Sequence, residues 1–320
     1  MFTVTQRAAG PSRSIRRGPH HGRIGTSTPA PITVAQLRAG TDLDGIFACA
    51  RKDRLTARSG SAYLAVELRD RSGAIPARAF RDADFLAGRF ERGDIVRVRG
   101  RVERFRDELQ VEVRDICRAD RDGLDPAEFL PTAYRDLDEL DGFLEHLARE
   151  VHDRDQRALL EALLADEELR TELRRAPCSR AGHHAYLGGL LEHTVAVTTL
   201  ALEACGLHRR LNSDLLLTAA IVHDLGKTRE FTYGAEIGLS ESGALLGHLA
   251  LGSQLLAEHA ARRPAFPPAT LLALQHCVLG HHGPDTLPGR RFRSAEALAL
   301  FRLNAVDAAV KGALEQGLPG

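Results

Sequence analysis

The sequence predicts an α+β multidomain chain in which a small β-barrel precedes an all-α domain. Two observations carry that prediction. Short alternating apolar runs, punctuated by turn residues, fill the stretch from Ile32 to about Arg118. Apolar residues three and four apart then take over to the end of the chain.

Residues 1–30 hold five arginines and no acid, are rich in Pro, Gly and Ser, and are expected to be a disordered basic tail. Five strand candidates follow: 44–51, 62–70, 74–80, 94–105 and 108–116. Alternation is cleanest in IVRVRGRV and LQVEV, as half-buried strands require, and DRSG (70–73) and Gly93-Asp94 mark turns. With a helical stretch between the third and fourth strands, residues 31–120 fit a Greek-key barrel of the OB type. Residues 121–176 carry 16 acidic against 8 basic side chains and read as an acidic helical connector, with helices over 136–148 and 155–175. After Pro177 the chain reads as helical to its end, with helices near 187–204, 213–224, 243–261, 268–279 and 294–316, Ser213 and Ser294 serving as N-caps. The all-α domain is therefore expected over 177–320.

The formal net charge is zero, yet the front is basic and the middle acidic, so a polyanionic partner is expected at the front. Only Lys52, Lys227 and Lys311 stand against 40 arginines, which singles out each lysine. Five scattered cysteines without a CxxC pair argue against a disulfide framework and a zinc ribbon. The purely apolar stretches fall short of a membrane span, no apolar signal core follows the first arginines, and a cytoplasmic protein is expected.

Ten of the fourteen histidines follow residue 182. In LLTAAIVHDLGKT (216–228) an apolar helix ends in His223 and Asp224, with Gly226 as its C-terminal residue. His193 interrupts GGLLEHTVAVTTLAL, and Asp307 interrupts LFRLNAVDAAV. A single histidine on an apolar helix is ordinarily a hydrogen-bonded core residue, and a single aspartate can cap or pair. Four such groups together would be destabilising by several kcal/mol unless they satisfied one another. A divalent ion does so, because imidazole and carboxylate suit it together.

The order H…HD…D resembles the ligand pattern of the HD superfamily of metal-dependent phosphohydrolases. His248 and the HCVLGHHG block (276–283) add histidines between the HD dipeptide and the last aspartate, which resembles the binuclear members. That resemblance implies a first ion on His193, His223, Asp224 and Asp307, and a second on Asp224, His248, His281 and His282. Two ions roughly 3.5–4 Å apart can hold a bridging hydroxide and polarise a phosphoryl group for in-line attack. His276 is read as core or supporting. Lys227, three residues after Asp224, is expected to touch phosphate, with a solvated helix-terminal lysine as the plain alternative. Arg180, His183 and His184 either contact substrate or cap. On the barrel, Tyr63 and Phe105 amid Lys52, Arg97, Arg99 and Arg104 suit stacking of single-stranded bases, and Phe80 is assigned to the core.

Residues 31–310 as a whole resemble the YhaM-type 3′→5′ exoribonucleases, through ELRDRSGAIPARAF, GDIVRVRGRV, HHAYLGGLLEHT, IVHDLGK, LLGH, LGHHG and NAVDAA in this order. The resemblance implies an OB-fold barrel joined to an HD domain, and stepwise release of nucleoside 5′-monophosphates from single-stranded RNA or DNA. Two divalent ions are implied, with manganese favoured over magnesium, iron or cobalt, no membrane partner, and a homo-oligomer allowed. The basic tail departs from the pattern. Two alternatives stand beside this reading: an HD phosphodiesterase of small nucleotides, and a nucleic-acid-binding adaptor with an inactive HD domain. GPDTLPG after His282 lacks the GYP of cyclic-dinucleotide enzymes, and the complete ligand set disfavours an adaptor.

Overall fold

Period-two alternation over the front of the chain closes into a five-stranded barrel. The computed structural model describes residues 32–317 apart from 58–59, 121–123 and 264, so the tail expected over 1–30 lies outside the described residues. Strands β1 (Asp42–Thr56), β2 (Ala62–Asp70), β3 (Gly73–Ala79), β4 (Ile95–Phe105) and β5 (Glu108–Arg118) close in the order β1-β2-β3-β5-β4, with the short helix α1 (Ala83–Ala87) between β3 and β4. Every pairing is antiparallel except β3 with β5, which run parallel and shut the barrel. Inward residues of each strand (Phe47, Leu64, Leu68, Val98, Val111) form one core. Gly100 marks the irregularity in β4: a Cβ there would stand 2.3 Å from the Glu112 carbonyl oxygen.

Beyond the barrel lie α2 (Leu137–Arg149), α3 (Arg154–Leu164), α4 (Glu167–Arg175), α5 (Gly189–Leu207), α6 (Ser213–Val222), α7 (Lys227–Glu230), α8 (Glu241–Ala261), α9 (Pro268–Gly280) and α10 (Ala295–Gln316). The acidic segment is not a connector between two cores. Leu140, Leu144, Leu159, Leu160 and Leu173 share a single core with Leu190, Leu216, Leu255, Leu274 and Leu300. Its acidity is largely the chemistry of helix starts, where carboxylates meet unpaired N–H groups. Asp136, Asp153 and Asp166 cap α2, α3 and α4, and further acids occupy each first turn. Buried Asp141 lies between Arg170 and Arg174, at 2.9 and 2.7 Å.

Three other expectations are corrected. The chain after Pro177 is not wholly helical: FTYGAEIGL forms a hairpin of β6 (Phe231–Tyr233) and β7 (Ile237–Leu239), because alternating residues flank a glycine turn. The α6 cap is Asn212, whose side chain accepts from the Leu215 N–H; Ser294 does cap α10. Helix α5 is long and apolar enough to cross a membrane by length and composition alone, and here its residues enter the helical core. The hairpin also meets the barrel, where Ala235 packs with Ala48, Ile95, Ala119 and Phe129.

Because α2–α4 supply much of the helical core, a fragment starting at residue 177 should fail to fold, whereas one starting at 124 should retain a cooperative thermal transition. Circular dichroism of the two fragments checks this; a folded 177–320 would show α2–α4 to be dispensable.

Candidate metal centre

Four helices bring their polar interruptions to one point. His193 lies in α5, His223 caps the C-terminus of α6 with Asp224 next to it, His248 lies in α8 and His281 caps α9. His193, His223, Asp224 and His281 are all buried, His248 is partly buried and His282 stands at the rim.

Asp224 sits in the middle and divides its two oxygens. Its Oδ2 faces His193 Nε2 and His223 Nε2 at 3.5 and 3.4 Å, whereas its Oδ1 faces His281 Nε2 and His248 Nε2 at 3.2 and 3.7 Å. His282 joins the second group, with Nε2 2.9 Å from His248 Nε2.

The outer ring nitrogens explain which way each lone pair points. Nδ1 of His193 donates to Asp307 Oδ2 (2.6 Å), of His223 to the Ala220 carbonyl (2.7 Å), of His248 to Glu230 Oε1 (3.1 Å) and of His281 to the Val278 carbonyl (2.7 Å). A neutral imidazole that donates through Nδ1 has its lone pair on Nε2. Four lone pairs therefore converge on one carboxylate. His193 Nε2 and His223 Nε2 stand 3.2 Å apart, and His281 Nε2 and Asp224 Oδ1 are buried with no hydrogen-bond partner. Acceptors facing acceptors need cations between them, and this donor set fits divalent ions on both sides of Asp224.

Protonation states agree. Burial lowers His193 to about 4 and His281 to about 3, so both are neutral at physiological pH. Burial alone would raise Asp224, but the Lys227 ammonium outweighs it and holds the carboxyl well below the usual range.

Lys227 is neither solvated nor free to reach outward. It is buried, donating from Nζ to Asp224 Oδ2 (2.7 Å) and to Cys178 Sγ (3.3 Å), so it neutralises the central carboxylate. Asp307 also departs from expectation. Its Oδ2 accepts from His193 Nδ1 and from His184 Nε2 (3.0 Å), which places it behind His193 rather than beside Asp224. His184 is not a substrate contact but a buried residue, with Nδ1 3.0 Å from the Tyr186 hydroxyl, which itself donates to Glu192. Burial opposes its protonation, yet its hydrogen bonds to Asp307 and Glu192 raise its pKa overall. His183 lies 3.5 Å from Cys178 Sγ and Arg180 donates to the Ile237 carbonyl (3.3 Å). His276 accepts from the Arg293 N–H, away from the cluster.

Sequence reasoning missed Glu230, Cys178 and Glu192. Glu230 is the most consequential, since it binds both the ring and the backbone N–H of His248 (3.1 Å each) where positive-φ Gly247 breaks α8. An acid beside the apolar Phe231 was the only signal. Gly226 has an ordinary right-handed conformation and does not terminate a helix by a left-handed turn. It is glycine because a Cβ would stand 2.0 Å from the His248 carbonyl oxygen.

On the barrel, Phe80 is not core but half-exposed, 5.5 Å from the Tyr63 ring. Phe105 is also exposed, with the Arg78 and Arg106 guanidinium groups at 5.5 and 5.3 Å. The basic residues expected around them are partly engaged elsewhere: Arg97 and Arg99 pair with Asp44, and Lys52 with Glu91.

Comparison with known proteins matches each half of the chain to a domain family. Residues 49–116 match the family described as OB-fold nucleic acid binding domain, and residues 190–309 the family described as HD domain. The chain is similar to the 3′-5′ exoribonuclease YhaM of Shouchella clausii (strain KSM-K16), 28% identical over 294 residues, 88% of this chain and 89% of that protein. The protein of the same name from Oceanobacillus iheyensis is 27% identical over 294 residues, covering 90% and 91%, respectively. That from Bacillus subtilis (strain 168) is 28% identical over 228 residues, covering 71% and 72%.

Two outcomes follow from the cluster. Glu230→Ala should weaken binding of the ion on the His248 side by about 10–100-fold and leave the other side nearly unchanged; calorimetric titration with a divalent ion reads both. The metal-free protein should lose stability as the pH falls from about 6.5 towards 4, because the unfolded chain takes up protons that buried His193 and His281 refuse. Thermal midpoints in chelator at pH 7 and pH 5 check the sign.

Proposed function

We propose that this chain, a homologue of the YhaM 3′-5′ exoribonucleases that joins an OB-fold barrel to an HD domain, is a divalent-metal-dependent 3′→5′ exoribonuclease. The observation that carries the reading is the division of Asp224, one oxygen towards His193 and His223 and the other towards His248 and His281. Two ions are proposed, sharing Asp224, with manganese favoured. The first is assigned His193, His223 and Asp224, with Asp307 holding His193 from behind through its Nδ1; the second is assigned Asp224, His248, His281 and His282. When bound, such ions supply Lewis-acid charge to the phosphodiester and a nucleophilic water acidified to near neutrality.

The chain's own residues prepare that site. Asp307, Glu230 and the carbonyls of Ala220 and Val278 hold Nδ1 of four imidazoles and so turn each Nε2 towards Asp224. Lys227 keeps Asp224 ionised within the helical core, where an uncompensated carboxylate would take up a proton. Its catalytic part is thus to hold the central ligand in its charged form.

Tyr63, Phe80 and Phe105, with Arg78 and Arg106, are proposed as the platform for a single strand, RNA first and DNA as a further substrate. A cytoplasmic location goes with an RNA substrate.

With manganese, 5′-labelled single-stranded RNA should shorten stepwise to a ladder while 5′-mononucleotides accumulate. Immediate release of the labelled nucleotide, or cleavage at internal sites only, would falsify the stated direction. Asp224→Asn should lower kcat by at least about 1000-fold, since it removes the charge common to both ions, and should reduce bound metal by elemental analysis. Retained metal with retained rate overturns the shared-ligand reading.

A further inference from the structure

The outward row of β2 links the aromatic platform to a cleft between the barrel and the helical domain. Successive residues of this strand alternate faces, so Tyr63, Ala65, Glu67 and Arg69 point away from the barrel core that Leu64, Val66 and Leu68 fill. Tyr63, beside Phe80, begins the row. Arg69 ends it in a cleft of about 440 Å³, whose other side is made by Arg180 and Ala181 of the helical domain and Glu236 of the hairpin. Six residue steps at about 3.3 Å separate the two ends by roughly 20 Å.

The cleft holds three arginines, Arg69, Arg92 and Arg180, against two carboxylates, Glu67 and Glu236. Arg92 is paired with Glu236 at 3.0 Å, but neither Arg69 nor Arg180 has a carboxylate partner among the described residues. Arg69 donates from Nη2 to the Ala235 carbonyl (2.8 Å), its Nε–H has no acceptor, and Arg180 donates only from Nε, to the Ile237 carbonyl. Two guanidinium groups held in place by backbone carbonyls keep their charge for an anion. The loop carrying Arg180 also carries Cys178 and His183, whose side chains lie against Lys227 and His193. One loop thus forms a wall of the cleft and a wall of the metal centre.

We propose that this cleft is the passage by which the 3′ end of a single strand travels from the barrel to the metal centre, with Arg69 and Arg180 binding successive backbone phosphates. The inference rests on the exoribonuclease reading and adds to it a route and two phosphate-binding residues. Arginine suits the task, since its planar fork binds phosphate oxygens in pairs. Neither residue belongs to the metal centre, so neither is required for hydrolysis of a phosphodiester small enough to reach the ions directly.

The test compares full-length wild type, Arg69→Gln and Arg180→Gln on two substrates with manganese: a 5′-labelled single-stranded oligoribonucleotide and bis(p-nitrophenyl) phosphate. Each variant should lose about 10–100-fold in kcat/KM on the RNA, as expected for a hydrogen bond to a charged group, with hydrolysis of the chromogenic diester unchanged. The salt dependence of RNA kcat/KM should flatten by about 0.7 per phosphate contact removed. Arg180→Lys should recover part of the loss, because the charge returns without the fork. Should Arg69→Gln lose activity on both substrates through damage to its hairpin contact, Arg180→Gln decides. Arg180→Gln digesting RNA like wild type, or losing both activities equally, overturns the passage. If the wild type hydrolyses the diester and leaves RNA intact, the exoribonuclease reading itself has failed.

Discussion

One buried carboxylate organises the helical half of this molecule. Asp224 lies among four imidazoles and an ammonium, and an ionised group at that depth is tolerable only with opposite charge close by. Lys227 answers Oδ2, but Oδ1 is buried without a hydrogen bond. The surrounding groups follow from this arrangement. Each imidazole turns its donor nitrogen outward to an acceptor and its lone pair inward, so the inner face is a cage of acceptors. The cage is rigid because its acceptors are main-chain carbonyls or carboxylates that are themselves held, as Asp307 is by His184.

The barrel and the helical domain meet at the β6–β7 hairpin rather than along a broad face of helices. Ala235 joins a small apolar cluster with Ala48, Ile95, Ala119 and Phe129, and Glu236 pairs with Arg92. The barrel and the histidine cluster therefore belong to separate cores, joined through a short hairpin between α7 and α8.

Much of this was legible in the sequence, and the rest was hidden for identifiable reasons. His223-Asp224 at the end of an apolar helix stands out because burial of such groups demands a partner. Alternation in IVRVRGRV and LQVEV announces the barrel. Glu230 was missed because an acid near a helix end has an ordinary local explanation, and its bond to His248 spans 18 positions. Asp307 was placed beside Asp224 by pattern alone, yet the rotation of α10 about its axis decides which ring nitrogen it meets. The acidic run from 121 to 176 suggested a spacer because net charge conceals periodicity; its leucines face the core while its carboxylates cap helices and pair with arginines. Phe80 looked like barrel core, but it falls one position past β3 and lies over Tyr63 on the outer surface.

Gly226 sets the separation of α7 from α8 by direct contact of main chains, since even a methyl group would overlap the His248 carbonyl. The residue two places from Asp224 thus acts as a gauge block between the carboxylate and a histidine from another helix. It has no donor side chain, yet enlarging it would move one half of the histidine cage relative to the other. At this position the tolerated alphabet is dictated by an interatomic clearance, so a residue with no chemistry of its own is as constrained as the histidines beside it.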